Sequence, residues 1–367
     1  MPISRPCYCT REEVRLALDI QQSAYADHKL DRALATGSGS VDRLCMRKFY
    51  TQIKTYHWDW PNYQYAYPWR LWLDERELAG NPTLIESGPF LTVPVPINIA
   101  HCLFLPETGP PYNEIQLRRD LNDVFGNNTT PQWDILITGP FGFWLNTIPA
   151  GTLAVALPDG LGTTVQASAG GYFDVGDTLI IDSEWMLVTD SQYINTTIQF
   201  SAGCTTASAA DNTMTVPDGT KFNAGEIILV DSEWMLVQYI IANSLIVKRA
   251  YSGSVLATHS APGNIYAKRQ FTVTRGALGS TAAAHLVNAP MSIREIPDLV
   301  KELSIAEAVS TLTATASAYA NDSQHTWFGQ MQRGQGSQKE AWPGPGLPDL
   351  RNRCAEAYAR QARTRVI

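Results

Sequence analysis

The chain has 367 residues, of which 44% are hydrophobic and 17% are charged, and its formal net charge is −7. These values are ordinary for a folded protein and predict roughly two to three domains, while the acidic balance argues against an overall basic nucleic-acid binder. No apolar run reaches the roughly 20 residues of a membrane span, and no signal-peptide-like segment opens the sequence, so no membrane association is expected. The six scattered cysteines are expected to be reduced thiols.

The first 50 residues are predicted to be helical. Thr10-Arg-Glu-Glu13 has the spacing of a capping box, in which a hydroxyl residue and a glutamate three positions later satisfy the first amides of a helix. A second helix is expected over residues 21–35, followed by a break at Thr36-Gly-Ser-Gly-Ser40. In a third helix after the break, apolar residues recur at helical spacing and basic residues occupy the other face. The apolar residues are Val41, Leu44, Cys45 and Phe49, and the basic ones are Arg43, Arg47 and Lys48.

Residues 51–150 have the pattern of a β domain. Short runs separated by prolines and glycines, with turn signals roughly every 8–12 residues, predict a β-barrel or sandwich. Aromatic side chains crowd its beginning, at Tyr56, Trp58, Trp60, Tyr63, Tyr65, Tyr67, Trp69 and Trp72. We favour the interpretation that these rings fill a β core and a subunit interface. A sugar-binding platform is the alternative.

A seven-residue string occurs twice, as Asp182-Ser-Glu-Trp-Met-Leu-Val188 and, 49 positions later, as Asp231-Ser-Glu-Trp-Met-Leu-Val237. Two further related strings, Val247-Lys-Arg-Ala-Tyr-Ser-Gly253 and Val273-Thr-Arg-Gly-Ala-Leu-Gly279, lie 26 positions apart, and each has a histidine ten residues after its arginine. We call the first string the front and the second string the back of one small β module. Because both fronts precede both backs in the chain, the order predicts that one module is inserted inside a second copy of itself.

The front of each module is predicted to be a β-hairpin. Thr178–Ile181 and Glu184–Val188 read as strands, and Asp182-Ser183 between them favours a tight turn because both side chains can bond the local backbone.

Eight residues recur at matching module positions, and we interpret them as structural. The tryptophans are expected to be core or interface anchors, the glutamates to face solvent, and the histidines to hydrogen-bond a loop backbone; ligand contact by the Glu–Trp pairs is the alternative. Two histidines without a supporting ligand cluster do not predict a metal site, and no cofactor is expected. The residues are Glu184, Trp185, Glu233, Trp234, Arg249, His259, Arg275 and His285.

Helical character returns near Ile296. Pro297 suits a helix start, and the helix after it carries Leu299, Leu303, Ala306 and Val309 on one stripe. Pro348 opens a last helix, which is expected to run from Asp349 to about Thr364.

Together these elements predict an α+β fold in which the N- and C-terminal helices form one helical bundle and a large β region is inserted between them. The predicted units are a helical bundle of residues 1–50 and 296–367, an inserted β domain of residues 51–150, an outer module copy of residues 151–192 and 268–295, and an inner copy of residues 193–267.

Segments at both ends resemble helices of the head–tail adaptor (connector) proteins of tailed bacteriophages. These segments are Tyr8–Leu18, Val41–Tyr50, Pro297–Leu303 and Leu347–Arg351 with its arginine-rich continuation. Trp133–Phe143 is similar to a strand pair of elaborated members, and the repeats resemble small β modules of other virion proteins. The resemblance covers about 120 residues at the ends, and the chain departs from compact members by roughly 240 residues of insertion.

The resemblance implies a non-enzymatic structural protein of the virion neck, made in the host cytoplasm. Such adaptors form a homo-oligomeric ring, commonly a dodecamer, that binds the portal protein and receives a stopper or tail protein on its far side. Double-stranded genomic DNA passes through the lumen during genome ejection, without sequence-specific binding.

The resemblance also implies that the C-terminal segment docks on the portal. Residues 349–367 hold five arginines and two acidic residues, and arginine pairs well with carboxylates, while Val366-Ile367 can extend an exposed sheet edge. A solvated helix end and contact with DNA phosphates are the alternatives. The candidate docking residues are Arg351, Arg353, Tyr358, Arg360, Arg363, Arg365, Val366 and Ile367.

An enzymatic activity is not expected, because the sequence lacks G-x-S-x-G, H-E-x-x-H, P-loop and dinucleotide-binding motifs. The alternative to an adaptor is a β-rich tail protein that binds a receptor or carbohydrate through the aromatic segment 58–72 and the repeats.

Overall fold

Helices at both ends of the chain flank a series of antiparallel sheets, so the architecture is mixed α+β. The computed structural model describes residues 3–18, 26–61, 67–88, 94–126, 131–323 and 346–360. The helices in these ranges are α1 (Arg11–Leu18), α2 (Asp27–Cys45), α3 (Asp298–Ser323) and α4 (Leu347–Tyr358).

The capping box before α1 is confirmed. The amide of Thr10 donates to Glu13 Oε2 over 2.8 Å, and the amide of Glu13 donates to Thr10 Oγ1 over 3.3 Å. Each side chain thereby satisfies a backbone amide that the first helical turn leaves without a partner, which fixes the start of the helix.

The predicted break at residues 36–40 is wrong, because α2 continues through it from Asp27 to Cys45. Gly37 faces α3 so closely that a Cβ there would lie 2.7 Å from the carbonyl oxygen of Ser304. Next to it, Ser38 Oγ lies 3.3 Å from Ser304 Oγ. The small residues therefore permit close approach of two helices and do not end one.

Residues from both ends of the chain share one apolar core, where α3 packs against α2 and α4. Cys45 and Cys354 meet there, with their sulfur atoms 3.7 Å apart. The buried members are Tyr8, Val41, Cys45, Phe49, Tyr50, Phe143, Val300, Leu303 and Cys354.

The first β region contains two small antiparallel sheets. Its strands are β1 (Gln52–Trp58), β2 (Arg70–Trp72), β3 (Leu84–Ser87), β4 (Val95–Pro96), β5 (Cys102–Leu105), β6 (Glu114–Leu117) and β7 (Ile135–Phe141). One sheet has the order β1-β7-β3-β4, and the other has the order β2-β6-β5. Both sheets contribute to one core, with Ile85 and Ile137 from the first and Leu71 and Ile115 from the second.

The remaining strands join in one eleven-stranded sheet. They are β8 (Thr147–Thr152), β9 (Thr164–Gln166), β10 (Thr178–Ile181), β11 (Glu184–Phe200), β12 (Ala202–Gly203), β13 (Thr213–Thr215), β14 (Ile227–Val230), β15 (Glu233–Ile241), β16 (Ser244–Lys248), β17 (Gly263–Thr274) and β18 (Pro290–Arg294). The order is β12-β13-β16-β15-β14-β17-β11-β10-β18-β8, and β9 also pairs with β17. Across the described residues no sheet closes into a barrel, so the barrel alternative is not what these strands form.

The two predicted hairpins are confirmed. Ile181 pairs with Glu184 at the end of the β10–β11 hairpin, and Val230 pairs with Glu233 in β14–β15. Asp182 and Asp231 adopt positive φ at the two turns, a conformation that aspartate tolerates better than most residues.

The strand pairs β11–β17 and β15–β16 share one register. Leu187 lies opposite Thr274 in the first pair, as Leu236 lies opposite Lys248 in the second, and each pair has an irregularity after the next valine. In the second pair Ala242-Asn243 joins the strands, whereas in the first pair the strands continue and β12–β16 lie between them in the chain.

The outer module copy packs against the N-terminal helices. Val14 and Leu34 share a core with Leu179 and Phe271. Arg11 adds a polar link, since its guanidinium binds Asp31 of α2 over 2.6 Å and Asp190 of β11 over 3.0 Å. The inner copy has a separate core around Phe200, Met235 and Ile265.

Candidate functional site

Four of the repeated residues of the outer module copy meet in what we call the outer cluster: Asp182, Glu184, Arg275 and His285. Arg275 donates in bidentate fashion to Glu184, with Nε–Oε1 and Nη2–Oε2 distances of 2.7 and 2.8 Å. His285 lies between two carboxylates, with Nε2 2.9 Å from Glu184 Oε2 and Nδ1 2.8 Å from Asp182 Oδ2. The amides of Gly276 and Ala283 complete the shell of Glu184.

The inner cluster, formed by Asp231, Glu233, Arg249 and His259, repeats this geometry. Arg249 binds Glu233 with the same pair of distances, 2.7 and 2.8 Å. His259 contacts Glu233 over 3.0 Å and Asp231 over 2.7 Å, and two backbone amides again donate to the glutamate.

The two glutamates are fully buried and saturated with donors. Burial by itself raises a carboxyl pKa, but the hydrogen bonds from arginine, backbone amides and histidine outweigh it and lower the pKa of Glu184 and of Glu233 to about 2. Each carboxylate accepts five hydrogen bonds, so little capacity remains for substrate or metal. The arrangement is suited to cross-linking the chain, not to acid–base chemistry.

Two sequence interpretations of these residues are wrong. The glutamates do not face solvent, because each is enclosed by an arginine and a histidine from the other half of its module. The histidine rings contact carboxylates and not a loop backbone.

The repeated tryptophans are packing residues. Trp185 is buried, with the Arg294 guanidinium 4.2 Å from its ring centroid. Trp234 of the inner copy is half-buried and packs on Tyr193 of β11, at a centroid distance of 4.3 Å.

Each cluster joins the front hairpin of its module to a later loop, the one that follows β17 in the outer copy and the one that follows β16 in the inner copy. In the sequence of the outer copy, Glu184 precedes the entire inner copy and its partner His285 follows it. The outer cluster therefore holds the outer module closed across the insertion.

Sequence reasoning missed a second set of buried ion pairs, at the junction between the two copies. Arg269 of β17 binds Glu226 of the inner copy over 2.7 Å, and Lys268 lies 3.1 Å from Asp174. Lys268 also reaches Glu12 of α1, at 3.2 Å. The available signal is the pair of adjacent cations Lys268-Arg269, which stands in a segment of several aromatic and β-branched residues.

The described candidate docking residues mostly contact the chain itself. Arg351 binds Glu307 of α3 over 2.5 and 2.9 Å, and Arg360 lies 3.2 Å from Glu77. Tyr358 stacks edge-on against Phe49. Arg353 is exposed, and Arg363, Arg365, Val366 and Ile367 lie outside the described residues.

The aromatic segment contributes largely to packing. Trp58 and Trp60 are buried in the core of the first β region. Arg119 lies over the ring of Trp69 at 4.5 Å, and Arg70 over that of Trp72 at 5.4 Å. Tyr63 and Tyr65 fall outside the described residues.

Within the described ranges, no group of three or more histidine, cysteine, aspartate or glutamate side chains is arranged to hold a metal ion. The helices of that part of the chain also lack an apolar stretch long enough to cross a bilayer. Comparisons with family models, curated proteins and solved structures find no match to the chain.

Proposed function

We propose that the chain is a structural virion protein, the head–tail adaptor of a tailed phage, which forms a homo-oligomeric ring beneath the portal. The observation that carries the proposal is that helices from the two ends of the sequence pack together. Ser38 meets Ser304, Cys45 meets Cys354, and Arg351 pairs with Glu307 on the neighbouring helix. These are the segments that resemble the adaptor helices, and we propose that they form the bundle of the ring wall.

In this proposal the β regions are outward elaborations of that bundle. Long insertions are tolerated where the ends of the inserted segment lie close together at the surface of the host domain. The chain leaves the helices after Cys45 and returns at Asp298, and α2 and α3 are neighbours. The insertions then reinforce the ring, hold neighbouring subunits or present a surface to other virion proteins.

The lumen of such a ring must let DNA slide. An acidic chain with a net charge of −7 repels phosphate, whereas a cationic wall would retain it. The charge balance supports a channel that passes DNA without gripping it.

Portal docking is proposed to use Arg353 together with residues 361–367. Arg351 and Arg360 already bind carboxylates of their own chain, so they serve mainly to position the segment that follows. Arginines in that segment can pair with acidic groups of the portal.

The test removes residues 361–367 and measures binding to portal rings of the phage that encodes the chain. Every described contact is retained in this variant, so its fold should be unchanged, and we expect portal affinity to fall at least tenfold. Glu356→Gln in α4 is the control and should bind as the unmodified chain does. Undiminished portal binding by the truncated chain would refute docking through this segment.

A receptor- or carbohydrate-binding tail protein is the second candidate, favoured by the half-buried Trp69 and Trp72. It predicts glycan binding that is lost in Trp69→Ala or Trp72→Ala and is unaffected by the C-terminal truncation. An adaptor shows neither property.

A further inference from the structure

A basic pocket opens where the end of α2 meets β1, residues 75–77 and the segment after α4. Its volume is about 390 Å³, within the range of small-ligand sites. Its charged lining consists of Arg43, Arg47, Lys48, Arg76 and Arg360, with Asp42, Glu75 and Glu77. Cations therefore outnumber carboxylates in this pocket, although the whole chain is acidic.

Two of the arginines share one carboxylate. Arg47 Nη2 lies 3.1 Å from Glu77 Oε1, and Arg360 Nη2 lies 3.2 Å from Glu77 Oε2. Burial, opposed by Glu77 and reinforced by Arg360, lowers the pKa of Arg47. Arg47 Nε and Arg360 Nε and Nη1 are buried without a hydrogen-bond partner in the described part of the chain. The protein thus leaves guanidinium donors unsatisfied here, which is costly.

The other three cations, in contrast, make no ion pair among the described residues. Arg76 lies over the ring of Tyr56 at 4.6 Å and donates to a backbone carbonyl. Arg43 donates to the carbonyl of Gly39 within its own helix, and Lys48 lies over Tyr50.

Asp42 contributes less negative charge than its position suggests. Its carboxylate accepts a hydrogen bond from the hydroxyl of Tyr8, deep in the helical core. Burial, opposed by that hydrogen bond and by nearby cations, raises the pKa of Asp42. The cationic excess of the pocket is therefore only weakly offset from this side.

We propose that this pocket binds the carboxylate side chains of an acidic peptide segment from a protein partner. Guanidinium groups pair bidentately with carboxylates. The exposed Met46 and the rings of Tyr56 and Phe141 add apolar surface for the side chains beside an acidic residue.

Carboxylates fit this pocket better than a nucleic-acid backbone does. Glu75 and Glu77 stand among the cations, and a continuous row of phosphates would be forced against them. Separate carboxylate side chains can enter between Glu75 and Glu77 and pair with the arginines one at a time. The proposal does not depend on the adaptor assignment, because the site is defined by its own lining and is tested with a defined peptide.

The experiment measures binding of a fluorescent ten-residue oligoglutamate to the full-length chain by anisotropy, at low and at high salt. A ten-nucleotide oligothymidylate is the competing probe. We expect saturable binding of oligoglutamate that weakens with salt, and weaker binding of the oligonucleotide. No binding of oligoglutamate, or tighter binding of the oligonucleotide, would overturn the proposal.

Matched variants locate the site. Arg43→Glu/Lys48→Glu reverses two exposed pocket cations and should weaken oligoglutamate binding at least tenfold. Lys29→Glu/Arg32→Glu makes the same charge change at exposed positions of α2 outside the pocket and should retain the binding. An equal loss in both variants would show that net charge and not the pocket attracts the peptide.

Discussion

At the residue scale, the fold of each module depends on one buried glutamate. Glu184 and Glu233 each neutralise a buried arginine and order the loop that carries its histidine. The duplication shows that this set of interactions is a unit, because the same donors occupy the same positions in both copies.

Replacing Glu233 with glutamine leaves Arg249 as a buried, uncompensated charge. We expect Glu233→Gln to lower the free energy of unfolding by about 3–5 kcal/mol, as in other broken buried ion pairs. Urea unfolding is the measurement, and Glu302→Gln, at an exposed position of α3, is the control with the same chemical change. A loss no larger than that of the control would mean that the inner cluster does not stabilise the module.

The same glutamates predict how stability depends on pH. Their pKa is about 2 in the folded state and lies near 4.5 without these interactions. Because folding lowers the pKa, the stabilisation is complete above pH 4.5 and is lost as the pH falls towards 2, by up to about 3 kcal/mol for each group. Unfolding midpoints measured across this interval should fall steeply for the unmodified chain and less steeply for Glu233→Gln. Parallel pH profiles would contradict the assignment.

At the element scale, the contact between α2 and α3 depends on the absence of a side chain at Gly37. Gly37→Ala places a methyl group against the α3 backbone and should destabilise the protein by about 1–3 kcal/mol. Gly39→Ala is the matched control, because the three atoms nearest to its Cβ belong to the movable end of Arg5, and alanine should be neutral or gain up to about 1 kcal/mol in a helix. Thermal unfolding of both variants measures the difference, and similar stabilities would refute the close-contact explanation.

Local elements could be predicted from the sequence, and long-range contacts mostly could not. The capping box at Thr10 and the turn at Asp182 involve neighbours in the chain, and both are confirmed. The role of Gly37 is set by Ser304, which lies far along the sequence, so the local pattern alone predicts a helix break where the glycine in fact permits helix packing.

For the outer and inner clusters too, the sequence identifies the residues but not their long-range contacts. Repetition indicated which residues belong together, but it could not show that Arg275 and His285 enclose Glu184. A charged residue on a predicted strand is usually solvated, and only the fold brings the neutralising partners to it.

At the scale of the whole molecule, the shared register predicts that the inner copy can be removed. The pair Gln192–Gln270 of the outer copy is equivalent to the pair Ile241–Ser244 of the inner copy, which flanks the Ala242-Asn243 turn. Replacing residues 193–269 by Ala-Asn should therefore close the outer hairpin. Asp174→Asn is needed in the same variant because Lys268 is lost, and Asn223 is the equivalent residue of the inner copy.

We expect this shortened chain to fold cooperatively, with the helices and the outer cluster intact, as measured by circular dichroism and urea unfolding. A control without the Asp174→Asn substitution leaves a buried aspartate without its lysine partner and should be less stable. An unfolded shortened chain would show that the outer copy depends on the inner one.

The proposed ring assembly is tested most directly by sedimenting the purified chain with portal rings of its own phage and imaging the heavy fraction by negative stain. The proposal predicts portals that carry a second ring stacked on one side, and loss of that ring when residues 361–367 are removed. Intact portals that sediment without the chain, at high concentrations of both, would contradict the adaptor function.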